Sequence, residues 1–112
     1  MRTYRSLRYL GAVALAGAAA ASLAAPAGKE IYQGTCIACH GANGKGVLPG
    51  VPDFTSAKSP LKAPDAVVLK RIKQGYQSPG SPMAMPPKGG SPSLTDADLK
   101  AVLAYLRKSF ER

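Results

Sequence analysis

The chain has 112 residues, room for one domain and not two, and a formal charge of +9 from 15 basic and 6 acidic side chains. It has no Trp, two Cys and one His, so its core is thin, and a cofactor or other staple is expected to complete the interior. Lysines are scattered, with no basic run to form a nucleic-acid stripe, so the charge suits acidic protein partners and not nucleic acid.

The first predicted element is a leader. Arg2, Arg5 and Arg8 precede an apolar, Ala-rich run from Leu10 to Leu23, and small residues follow at Ser22-Leu23-Ala24 and Ala25-Pro26-Ala27. Positive, then apolar, then small is the order of a secretory signal peptide. The apolar run is about 14 residues, whereas a membrane span needs roughly 20. Residues 1–24 are therefore read as a signal peptide, with cleavage as late as 27. Residues 25–112 are read as one domain, periplasmic or otherwise exported. The leader has no paired arginines and no cysteine for a lipid anchor.

A first helix is predicted from about Gly28, with Ile31 and Tyr32 on its buried side, running into Cys36-Ile37-Ala38-Cys39-His40. Every Cys and His of the chain falls within these five residues. C-x-x-C-H is the signature of covalent c-type haem attachment. Two thiols three residues apart at a helix end can reach the two vinyl groups of one porphyrin. The next residue then aims its imidazole at the iron, and His is the usual proximal ligand. The competing readings are a disulfide formed after export, a redox pair and a zinc site. A thioredoxin-like pair needs a βαβ surround, and no strand pattern is visible. Zinc needs four ligands, and two Cys and one His leave no convincing fourth. One covalent haem c is the expected cofactor.

Gly41 to Ala63 reads as a loop, punctuated by Gly44, Gly46 and Gly50 and barred from helix by Pro49, Pro52 and Pro60. A loop this long in a compact domain is expected to wrap something, and a haem edge is the candidate. A middle helix is predicted over Pro64 to Gln74, with Pro64 in its first position and Gly75 at its C-terminal cap. Val68, Leu69 and Ile72 share one face. Lys70, Arg71 and Lys73 fall late, where positive charge suits the dipole, and are read as solvated.

Ser81 to Gly90 holds three prolines and two glycines, a stiff loop that is neither helix nor strand. It carries Met83 and Met85, the methionines left once Met1 departs with the leader. A haem with one ligand can bind gases or peroxide, whereas one with two is normally an electron carrier. Met85 precedes Pro86 and is biased to extended geometry, while either methionine could instead pack on the ring. Local sequence leaves both open as the second axial ligand. The last helix starts at Thr95, with Asp98 completing a capping box and Leu94 and Leu99 placed as a hydrophobic staple. Leu99, Val102, Leu103, Leu106 and Phe110 form its apolar stripe, and Tyr105 can bury its ring with its hydroxyl near water. The fold class is all-α: three main helices and long loops around one haem.

From Gly28 to Tyr105 these residues resemble the class I cytochromes c, with the last third similar to the bacterial cytochrome c5 group. Gly28 and Tyr32, eight and four residues before Cys36, match a small residue and an aromatic of the family's first helix. Val102 and Tyr105 match the segment of the last helix that crosses it. The resemblance implies that the Pro52 carbonyl accepts a hydrogen bond from His40, that Phe54 packs on the haem, and that Met85 in Met85-Pro86-Pro87-Lys88-Gly89-Gly90 is the axial ligand opposite His40. It implies a cytochrome c-like fold and an electron carrier, monomeric if free and not itself an enzyme. Lysines near an exposed haem edge, Lys45 and Lys88, are the candidates to steer acidic redox partners. Two other readings stand beside it. One is a haem subunit of a periplasmic dehydrogenase, oxidase or reductase. The other is an open-site haem catalyst or gas sensor, which would lack a distal histidine because His40 is the only one.

Overall fold

The computed structural model describes residues 11–14, 17 and 27–111, so the signal-peptide reading falls almost wholly outside the described residues. Helices are the regular elements among the described residues, with one isolated antiparallel bridge between Tyr76 and Met85, and the fold is all-α. No described helix is long and apolar enough to cross a membrane.

The first helix is built of three consecutive pieces: α1 (Gly28–Ile31), a π-helical turn (Tyr32–Cys36) and α2 (Ile37–His40). Ile31 and Tyr32 are buried as expected. The π turn was not legible in the sequence. It widens the helix by one residue just where the first thiol must be delivered, and such turns occur often at functional sites.

The helix begins by crossing α4 (Asp96–Phe110) at close range. A Cβ built on Gly28 would stand 2.0 Å from the Ala101 carbonyl oxygen, so only a residue without a side chain fits there. Tyr32 fills the next layer, its ring 5.4 Å from Tyr105 and 5.5 Å from Phe110. Its hydroxyl donates to the Gly41 carbonyl, closing the end of the helix. Burial, then the neighbouring Cys36 and Tyr105, push this phenol up to about 12. Gly28→Ala should therefore overpack the crossing at a cost of about 1–3 kcal/mol. At about 4–8 °C per kcal/mol for a domain of this size, thermal denaturation of the holoprotein should show a Tm lower by roughly 4–24 °C.

The loop after α2 is irregular apart from a 3-10 turn, Pro60–Lys62, absent from the sequence reading. Buried Ser59 caps it by accepting from the Leu61 amide at 3.1 Å, and Leu61 enters the core. The middle helix, α3 (Asp65–Gln74), starts one residue later than predicted. Pro64 sits at the N-cap with ψ 152 and not in the first turn. Its carbonyl accepts from Val67 and Val68 at 3.0 and 3.1 Å, which starts the helix all the same. Val68 and Ile72 are buried and Leu69 packs on the core. Gly75 ends the helix with φ 81, a conformation suited to glycine, and a Cβ there would meet the Met85 carbonyl oxygen at 2.8 Å.

In α4 the capping box forms as predicted: the Asp98 amide donates to Thr95 Oγ1 at 3.1 Å and the Thr95 amide to Asp98 Oδ2 at 2.8 Å. All five residues of the apolar stripe are buried, and Leu94 packs against the same core. Each such burial stabilises by about 1.5–3 kcal/mol. Arg107, unremarked in the sequence, ties α4 to the long loop. Its guanidinium donates to the Leu61 and Ala63 carbonyls and pairs with Asp65.

Candidate haem site

The three main helices and both long loops surround one cavity of about 400 Å³, within the usual range for small-molecule sites. The first helix contributes Cys36, Cys39 and His40 to its wall. The long loop contributes Val51, Pro52 and Phe54; α3 contributes Val68 and Ile72; α4 contributes Val102 and Leu106. Met83 and Met85 close it from the Pro-rich loop. No carboxylate stands among the described lining residues.

Helix geometry explains the motif. Cys36 closes the π turn, and α2 carries Cys39 and His40 three and four residues on, one helical turn later, so all three side chains reach the same cavity. The thiols are half-buried and not joined in a disulfide. Burial, then Cys39, push the Cys36 thiol up to about 11. Among the described residues no group of three or more His, Cys, Asp and Glu side chains could hold a metal ion.

His40 is buried, its ring stacked on Phe54 with centroids 4.6 Å apart and planes 17° from parallel. Phe54 stacks in turn on Phe110 at 6.0 Å, linking the histidine to the helix crossing. Burial holds the imidazole below its usual range, which keeps it neutral with a nitrogen lone pair free. Pro52 lines the cavity as expected, but the bond from His40 to its carbonyl is not formed. Nδ1 is buried with no hydrogen-bond partner among the described residues, the ring plane being set by Phe54. A buried polar atom left unpaired costs about 1–3 kcal/mol. It marks an imidazole that the protein does not use for its own hydrogen bonding. With two unbridged thiols and a thioether on the same apolar walls, the donor set fits a covalently held porphyrin iron.

The two methionines differ. Met85 is half-buried and packs on the core, and its backbone exchanges two hydrogen bonds with Tyr76, at 3.0 and 2.7 Å. This is the extended geometry expected before Pro86. Met83 is 38% exposed. Beyond Met85 the chain enters a 3-10 turn, Pro87–Gly90, where the sequence suggested loop; Lys88 and Gly89 break its geometry with φ 53 and 63.

Lys45 and Lys88 do not line the cavity. Lys58 and Arg71 do. Lys88 instead reaches back toward the Pro92 carbonyl, and Lys45 is exposed in the loop. Arg71, read as solvated, is half-buried with its guanidinium carbon 4.4 Å from the Tyr76 ring centroid. Its position three residues after Val68 is the signal that could have placed it on the inner face.

A model of the cytochrome c family matches residues 25–110. The chain is 35% identical over 107 residues to cytochrome c-555 of Chlorobaculum tepidum, covering 95% of each. It is 39% identical over 83 residues to cytochrome c-555 of Chlorobaculum thiosulfatiphilum, covering 73% of this chain and 92% of that one. It is also 35% identical over 86 residues to a lupanine 17-hydroxylase [cytochrome c] of a Pseudomonas species, covering 76% of this chain but 11% of the relative. No solved structure matches. These names carry the likeness to cytochromes c; the c5 group does not figure in them.

Proposed function

Because the chain belongs to the cytochrome c family, binding haem c covalently and serving haem-based electron transfer, we propose that it is an exported monohaem carrier. In this reading Cys36 and Cys39 hold the haem and His40 and Met85 are its axial ligands. The observation that carries the reading is a single cavity whose wall holds both thiols of the chain, its one imidazole and Met85.

When bound, the haem supplies an iron that takes up and gives back one electron. The chain does the rest. Cys36 and Cys39, on one turn of the first helix, would hold the group through two thioether links. Neutral His40, pressed against Phe54, offers its ring from one side. Met85, anchored to Tyr76, offers sulfur from a backbone that need not move. With His40 and Met85 both ligating it, the iron would offer no open position to a substrate, and the protein would need little rearrangement for each electron. Val68, Ile72, Val102 and Leu106 exclude water and make a low-dielectric wall, which disfavours added positive charge and favours the reduced state. The basic surface suits acidic redox partners, with steering that weakens as salt rises.

The test is a visible spectrum of protein matured in a host that assembles c-type cytochromes. Covalent haem, with the weak oxidised band toward the red that reports sulfur on iron, is the expected result. Haem without that band, binding carbon monoxide rapidly, would replace the carrier with an open-site reading.

A second reading, an electron-transfer subunit of a larger redox enzyme, is favoured by the likeness to the hydroxylase, of which the chain spans about a tenth. Co-purification with a larger redox protein from the native source would support it.

A further inference from the structure

We propose that Arg71 sets the reduction potential of the bound haem, as a fixed positive charge that favours the reduced state; the inference rests on the haem-site reading of the cavity. Arg71 lies on the inner face of α3, between buried Val68 and Ile72, and lines the cavity. Its guanidinium is held over the Tyr76 ring at 4.4 Å. Among the described residues it makes no ion pair and no hydrogen bond, and no lining carboxylate neutralises it. Lys58, the other lining cation, is exposed on a loop. Arg71 therefore puts a positive charge on the wall of an apolar cavity, with no protein carboxylate on that wall to offset it.

Tyr76 makes that charge stationary. Its backbone is bonded both ways to Met85, so the ring under Arg71 belongs to the segment that presents the proposed ligand. Cation–π attraction holds the guanidinium there instead of letting it swing into water. The oxidised haem carries one more positive charge than the reduced haem. A nearby cation raises the energy of the oxidised form more, and a low-dielectric wall screens that repulsion poorly. Arginine suits the task because its planar group stacks on a ring, whereas a lysine ammonium seeks water.

The experiment is redox titration of matured wild type, Arg71→Gln, Arg71→Lys and Tyr76→Leu, with the sulfur–iron band recorded for each. Arg71→Gln should keep covalent haem and the band, while its reduced-to-oxidised ratio at a fixed potential falls roughly tenfold, about 59 mV for a one-electron couple. Arg71→Lys should fall less. Tyr76→Leu, which keeps the backbone bonds to Met85 but frees the guanidinium, should fall between twofold and tenfold. An unchanged potential in Arg71→Gln with the band intact overturns the inference and leaves the site reading standing. Loss of the band in Arg71→Gln also overturns it, because the residue would then act by holding the Met85 loop. Should Arg71→Gln fail to accumulate, Tyr76→Leu decides: a fall with the band kept supports the charge, and no fall overturns it. Wild type without covalent haem overturns the site reading and this inference together.

Discussion

Replacing both Cys36 and Cys39 by Ala should abolish covalent haem altogether and, with it, the folded domain. The chain has no other thiol, so no second attachment point exists. Mass spectrometry of the denatured variant should show the polypeptide mass alone, where wild type carries the added haem. The consequence for the fold follows from the cavity. Its volume of about 400 Å³ is walled mainly by apolar side chains from every main helix. At about 24 cal/mol per Å³ of unfilled apolar volume, leaving it empty would cost on the order of 10 kcal/mol, and water entry lowers that figure only by wetting the same walls. A small domain has about 5–15 kcal/mol of stability in all. Far-UV circular dichroism of the double variant should show most of the helical signal lost. Either single variant keeps one link and both proposed ligands, so it should retain haem at a reduced yield and melt earlier than wild type, as expected when one covalent cross-link is lost. Covalent haem persisting in the double variant would break the assignment of both thiols.

Much of this fold was legible because its signals are local. The Thr95–Asp98 box, the stripe from Leu99 to Phe110 and the Gly75 cap are each written within one turn or one face of a helix. The C-x-x-C-H run is equally local, since one helix end carries all three groups. What escaped the sequence is set by distant contacts. The π turn before Cys36 has no residue signature of its own and arises where the first helix must both cross α4 and present a thiol. Arg107 meets carbonyls 46 and 44 positions away, which no periodicity encodes. Pro64 fits the first helical position by type, yet its ψ of 152 places it just outside. The place of Arg71 near the helix C-terminus suggests solvent, whereas the Tyr76 ring across the cavity mouth draws it onto the wall. The orphaned Nδ1 of His40 is a point where the geometry departs from what the resemblance implied, and it depends on Phe54, fourteen residues on.

Between the two methionines the physical difference is confinement, and it makes a sharp prediction. Met85 is half-buried, with its backbone fixed to Tyr76 on one side and running into Pro86 and Pro87 on the other. Holding its thioether on the iron forfeits little conformational freedom, because folding has already removed most of it. Met83 is 38% exposed, two residues nearer the Gly80 turn, and its local bonds are with Ser81. Bringing its sulfur to the iron would require ordering a segment that water now solvates. Met85→Ala should therefore lose the oxidised sulfur–iron band, admit carbon monoxide to the reduced protein, and lower the reduction potential by on the order of 0.1 V, within the span of about 0.8 V that axial ligands command. Met83→Ala should leave the band in place and the potential within about 0.02 V of wild type, because at this exposure its thioether adds little to the dielectric of the wall. The reverse pattern would transfer the axial role to Met83. Retention of the band in both single variants, with loss only in the double, would mean that the loop can present either sulfur and that the Tyr76–Met85 bridge does not choose between them.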